Sequence, residues 1–167
     1  MSIYERELKE IFSGNKKIID RVIKSCNNEE REKYYKIIDK PFIVIRAAGS
    51  LGIADIVAMR GDISFIVEIK VRKEDEILFS HEGGRMQNKA IEMKEKCSQT
   101  KILPIFAYRL KGIRGDAWRV FTMDMENLEG KSKKINKILP KLELSPNKNY
   151  IMRWKKGMKL SDFIDII

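Results

Sequence analysis

GIADIVAMRGDISFIVEIKV, residues 52–71, holds two runs rich in Ile and Val on either side of Gly61-Asp62. β-Branched residues in short runs suit half-buried strands, and a Gly-Asp pair between them suits a tight reversal. The stretch is expected to fold as an antiparallel hairpin, IADIVAM (53–59) against ISFIVEIKV (63–71). Three charged residues, Asp55, Glu68 and Lys70, stand inside these otherwise apolar runs. On a strand, residues two apart share a face, so Glu68 and Lys70 project together while Val67, Ile69 and Val71 project the other way. The hairpin brings Asp55 to the same end from the neighbouring strand. Two carboxylates and one ammonium can therefore converge.

Paired carboxylates suit a hard divalent cation, Mg²⁺ or equally Mn²⁺, held partly through water and substrate phosphate. The backbone carbonyl of Ile69 offers a further oxygen ligand. Lys70 could orient or deprotonate an attacking water, or balance charge on a phosphate. The chemistry this suits is metal-assisted hydrolysis of a phosphodiester. The plainer alternative is a Glu-x-Lys pair on a solvated strand face, with Asp55 as a turn residue. Against it, a carboxylate inside strands this apolar is costly without a partner or ion.

Outward from the hairpin, FIVIR (42–46) and the small-residue turn AAGSLG (47–52) lead into it, and KILPIFAYRL (101–110) and DAWRVFTM (116–123) read as further strands. Residues 85–97 carry a helical pattern, and the charged segment 72–83, with His81 and Gly83-Gly84, reads as a loop. At the start, Ile3, Tyr4, Leu8, Ile11 and Phe12 recur at helical steps behind a Ser2 cap and before Gly14. Residues 15–39 read as two short helices with much polar surface. Residues 126–149 are basic and irregular, NYIMRW (149–154) reads as a short strand, and KLSDFIDII (159–167) as a last helix. Phe42, Phe65, Phe106, Phe121, Trp118 and Trp154 are expected in the core or at an interface between copies. This order predicts an α/β fold, a mixed sheet flanked by helices, over one domain spanning 1–167.

Lys and Arg outnumber Asp and Glu by 34 to 24, a formal charge of +10 on 167 residues. That excess favours a polyanionic partner such as nucleic acid. No apolar run approaches the roughly 18–20 residues needed to span a bilayer. MSIYERELKEIF lacks an apolar signal core, and Cys26 and Cys97 have no paired spacing, so a reducing cytoplasm is expected. Arg72, Lys73, Lys111, Arg114 and the lysines at 131, 133, 134 and 137 are candidate phosphate contacts, mainly through their sum.

The pattern Asp55-x12-Glu68-Ile69-Lys70 resembles the PD-(D/E)XK nuclease signature, with Ala54 where a proline often stands. More closely, the chain resembles the archaeal Holliday junction resolvases. The resemblance runs through ERELKEIF (5–12), IVIRAAGSLGIADIVA (43–58), FIVEIKVRKED (65–75), GGRMQNKAIEM (83–93), ILPIFAYRLKGIRGDAWRVFTMD (102–124) and KKGMKLSDFIDII (155–167). It implies a restriction-endonuclease-like fold and a homodimeric, Mg²⁺-dependent DNA endonuclease acting on four-way junctions. It further implies that Glu5 contributes to the metal centre with Asp55 and Glu68, and that Lys70 is the catalytic lysine. Arg6 and Arg46 match basic positions near the scissile phosphate, and Ser50 matches a serine between strands. Gln87 is similar to a glutamine of some nucleases of the superfamily. Residues 14–41 stand where the family has a short connection, so a helical insertion is expected there. Two alternatives stay open: a PD-(D/E)XK nuclease with another DNA target, restriction-like or virus-encoded, and a basic DNA-binding module without activity.

Overall fold

In the computed structural model, which describes residues 1–47 and 52–167, the hairpin forms as β2 (Ile56–Arg60) and β3 (Ile63–Arg72). Val67 faces Ile56 and Phe65 faces Ala58 across it. Strand β1 (Ile43–Arg46) pairs antiparallel with β2 at one edge. On the other side β3 pairs in parallel with β5 (Leu103–Leu110), and the connection between them is the long helix α4 (Arg85–Thr100). A parallel pair needs such a crossover, which is why the helical stretch must lie between these two strands. Strands β6 (Trp118–Phe121) and β9 (Met158–Lys159) complete a six-stranded mixed sheet in the order β1-β2-β3-β5-β6-β9.

Each face of the sheet carries its own core. On the side of Phe65, Val67 and Ile69, helix α1 (Ile3–Phe12) packs Leu8, Ile11 and Phe12, and α2 (Lys16–Val22) packs Ile19. Helix α3 (Asn28–Asp39) contributes Tyr34 and Ile37, α5 (Gly130–Ile138) contributes Ile135, and α6 (Leu160–Ile166) contributes Phe163 and Ile164. Edge-to-face aromatic contacts knit this layer: Phe65 lies 5.3 Å from Phe12, 5.0 Å from Phe42 and 5.6 Å from Phe163. On the opposite face, Ala90, Met93 and Cys97 of α4 cover Phe106, Tyr108 and Phe121. A second, three-stranded sheet, β4 (Glu76–Leu78), β8 (Tyr150–Arg153) and β7 (Glu143–Leu144), closes that side with Ile77 and Met152.

The two ends of the chain meet in a buried polar joint. The Tyr34 hydroxyl donates to Asp116 Oδ1 at 2.7 Å, and the Ser161 amide donates to Asp116 Oδ2 at 2.8 Å. Outside it, α3 and α6 are laced by Lys33–Asp162 at 2.9 Å and by the pair Lys36–Asp165. Residues 14–41 thus bury a stripe of Ile19, Ile23, Tyr34 and Ile37 against the sheet layer. Gly14 makes the turn into this segment at φ +74, where a Cβ would come within 3.1 Å of Pro41 Cβ. No helix among the described residues is long and apolar enough to cross a membrane.

Two expectations differ from what forms. Part of the segment 72–83 makes strand β4, because Ile77 finds Met152 across the small sheet. The basic stretch 126–149 holds α5, whose Ile135 reaches the core while its lysines at 133, 134 and 137 stay in solvent.

Candidate active site

Strand alternation divides β3 cleanly. Phe65, Val67 and Ile69 enter the α1 core, while Glu68 and Lys70 project to the other face, into a small pocket with Phe79, Met86, Lys89, Ala90, Met93 and Phe106. Register sets Glu68 beside Phe106 and Lys70 beside Tyr108 of β5. Glu68 is only 3% exposed, the one carboxylate of β3 and among the few buried charges of the chain. Its Oε1 lies 2.7 Å from the Lys70 ammonium and its Oε2 2.7 Å from that of Lys89. The Lys89 contact is an ion pair without hydrogen-bond alignment, and Oε2 is left buried with no aligned donor. Both oxygens of this buried carboxylate thus lie against an ammonium charge.

Asp55 precedes β2 by one residue, and its own backbone bridges both neighbours. Its amide donates to the Val67 carbonyl and its carbonyl accepts from the Ala47 amide, each at 2.9 Å. The Asp55 carboxylate takes the Ile69 amide on Oδ2 at 2.6 Å. In an extended strand a residue's amide and carbonyl point the same way, so the Ile69 carbonyl is turned toward the Asp55 side as well. Asp55, Glu68, Ile69 and Lys70 therefore share the end of the β2–β3 hairpin, as the sequence spacing implies. The wall behind them is apolar and aromatic, and Tyr108 is fixed there by donating to the Glu74 carbonyl. Burial pushes the Tyr108 phenol up to about 12, so it stays neutral.

The structure does not bring Glu5 to this group. Helix α1 lies on the opposite face of the sheet, and the Glu5 carboxylate closes a capping box by accepting from the Ser2 amide at 3.3 Å. Among the described residues no three histidines, cysteines or carboxylates gather closely enough to hold a metal by themselves. What is gathered is the carboxylates of Asp55 and Glu68 and a strand-end carbonyl, a donor set that fits a Mg²⁺-like ion completing its shell with water and phosphate.

Of the basic residues, Arg6, Arg46 and Lys73 are exposed and pair with no acid among the described residues. Arg72 turns its guanidinium onto the Val71 carbonyl and, with His81 and Glu82, lines a surface cleft that shares Met86 with the Glu68 pocket. Ser50 lies outside the described residues. Gln87 serves architecture: its Oε1 accepts the Tyr150 amide at 2.7 Å and anchors β8 to α4. Lys89 is the site residue that sequence reading passed over. Its signal was there, since a lysine interrupts the apolar stripe Met86, Ala90, Met93, Cys97 of one helix face.

A protein-family model described as archaeal Holliday junction resolvase (Hjc) matches residues 21–166, which include the hairpin and α4 but not Glu5 or Arg6. Among solved structures, the chain is similar to Hjc of Archaeoglobus fulgidus, described as a Holliday junction resolvase from an archaeal hyperthermophile. That likeness has a TM-score of 0.50 at 21% identity and covers 81% of this chain and 91% of the other. The fold is therefore the expected one, a helix-flanked mixed sheet of the restriction-endonuclease kind. No curated protein matches the sequence.

Proposed function

The chain belongs to the archaeal Holliday junction resolvase family, and we propose that it is a metal-dependent endonuclease that hydrolyses phosphodiesters in four-way DNA junctions. The observation that carries this reading is the meeting of Asp55, Glu68 and Lys70 at one hairpin end, with Glu68 buried and one of its oxygens lacking an aligned donor. Asp55, Glu68 and the Ile69 carbonyl would hold Mg²⁺ or Mn²⁺. When bound, such an ion polarises the scissile phosphate and makes a coordinated water more acidic. Asp55 holds the strand end in place through the Ile69 amide, and Lys70 is stationed to hold a water or to balance charge on the phosphate. In the hydrolysis itself a water oxygen attacks phosphorus, one P–O bond breaks, and the leaving oxygen takes a proton.

Glu5, held in the Ser2 capping box on the other face of the sheet, is assigned no role at the metal. Arg6, Arg46, Arg72, Lys73 and Ser50 are proposed as contacts to the DNA backbone, with the +10 charge as the general attraction. We further propose a homodimer and a cytoplasmic location. The edge strand β1 leaves Ile43 69% and Ile45 51% exposed, an apolar edge that monomers usually avoid. Residues 1–167 are proposed as a single domain with 14–41 as its helical insertion.

The test is Mg²⁺-dependent cleavage of a fixed four-way junction beside linear duplex, single strand and flap. Asp55→Asn and Glu68→Gln should each slow junction cleavage by at least about 100-fold, since metal ligands matter more than the groups behind them, while junction binding survives. Normal cutting by both variants would remove the proposed centre, and equal cutting of all substrates would remove junction specificity. Sedimentation of wild type against Ile45→Lys checks the dimer; an unchanged mass places the interface elsewhere.

A further inference from the structure

We infer that Lys89 is the counter-ion a divalent cation must displace from Glu68, which makes metal and DNA phosphate enter the centre together. The inference rests on the reading of Asp55 and Glu68 as the metal pair. Lys70 alone would neutralise Glu68, yet a second ammonium, Lys89 on α4, stands 2.7 Å from the other carboxylate oxygen. With Asp55 counted, two carboxylates face two ammonium groups, so the centre is electrically balanced before any cation arrives. A divalent ion arriving at Glu68 meets both ammonium charges at close range, beside a pocket walled by Phe79, Phe106 and Met93. Repulsion in such surroundings is far stronger than in water.

One of the two lysines has to yield, and the geometry singles out Lys89. Lys70 shares its strand with Glu68 and projects beside it. Lys89 reaches across from α4, one turn from the half-buried Met86, with its side chain 27% exposed and free to turn outward along the helix surface. Both contacts are 2.7 Å ion pairs, and the Lys89 side chain is the more exposed of the two, at 27% against 20% for Lys70. Once displaced, the ammonium finds its new counter-ion in a DNA phosphodiester lying over the centre. Binding energies linked in this way are reciprocal: phosphate favours metal, and metal favours phosphate. The DNA-free protein then holds its cation weakly, by design of the charge balance rather than by shortage of oxygen ligands.

The experiment titrates Mn²⁺ alone into the full-length, DNA-free protein and follows free Mn²⁺ by electron paramagnetic resonance. K89M and K89Q should each bind Mn²⁺ about tenfold more tightly than wild type, and K89R should bind as wild type does. Adding a short duplex should tighten Mn²⁺ binding to wild type and change it little in K89M. Equal or weaker Mn²⁺ binding in folded K89M and K89Q, where E68Q still abolishes it, overturns the role of Lys89 and leaves the metal centre standing. Mn²⁺ binding that neither D55N nor E68Q diminishes overturns both readings.

Discussion

Tyr34→Phe tests the joint between the chain's two ends. The ring of Tyr34 is wholly buried, and its hydroxyl donates to Asp116 Oδ1 at 2.7 Å. Asp116 is 5% exposed, and burial pushes its carboxyl above the usual carboxylate range, while the Ser161 amide and the Tyr34 hydroxyl pull it back down. Phenylalanine keeps the packing and deletes one of the two hydrogen bonds to this carboxylate. A bond to a charged acceptor contributes about 1.5–3 kcal/mol net, so we take a loss of about 2 kcal/mol at pH 8. The pH dependence has a definite sign. A carboxyl whose folded pKa is raised contributes most below its unfolded pKa, and that contribution is lost as pH rises through the folded value. Without Tyr34 the folded pKa rises further, so the variant loses more across this window. The deficit should therefore shrink toward about 1 kcal/mol near pH 4, where the lost bond is increasingly one to a neutral group. At about 3 °C per kcal/mol for a chain this size, the midpoint should fall by roughly 6 °C at pH 8 and roughly 3 °C at pH 4. Thermal unfolding followed by circular dichroism at both pH values measures this. A deficit that is flat with pH, or larger in acid, would refute the account of Asp116. A separate early transition, in place of one shifted transition, would refute the single domain.

Gly157→Ala should be costly for purely steric reasons, because the new Cβ would lie 2.6 Å from Arg119 Cβ and 2.7 Å from the Phe121 ring, although φ is an ordinary −77°. A loss of about 1–3 kcal/mol is expected in denaturant unfolding, and an unchanged midpoint would mean that β6 and the turn before β9 yield freely. Arg46→Ala removes an exposed guanidinium at the end of edge strand β1. Junction affinity should fall severalfold, and the slope of log affinity against log salt should lessen by about 1; an unaltered slope takes Arg46 off the DNA path.

The hairpin was legible because Ile and Val alternate around Gly61-Asp62, and the site because Asp55, Glu68 and Lys70 break that pattern at one end. The Ser2 cap and the helix over 85–97 were equally local in origin, the last running on to Thr100. What escaped depends on partners far away in sequence. Strand β4 exists because Ile77 meets Met152, and nothing between residues 72 and 83 announces that pairing. Lys89 breaks an apolar helix stripe, but what it faces is set only when the parallel crossover brings α4 above Glu68. Glu5 shows the reverse: the resemblance implied a place at the metal, and the structure leaves it in a local capping box with Ser2.

The parallel pairing of β3 with β5 through α4 has a consequence for how the protein can change over time. Asp55, Glu68, Lys70 and Lys89 all fall within residues 55–89, on one hairpin and the crossover helix that follows it. Helices α1, α2, α3 and α6 close the other side of the sheet from the chain's extremities. The candidate centre and the outer helices are thus drawn from separate stretches of the chain. On the reading proposed above, a change of length within residues 14–41 leaves the chain spacing of Asp55, Glu68, Lys70 and Lys89 unaltered, so the outer helices and the proposed centre can vary apart.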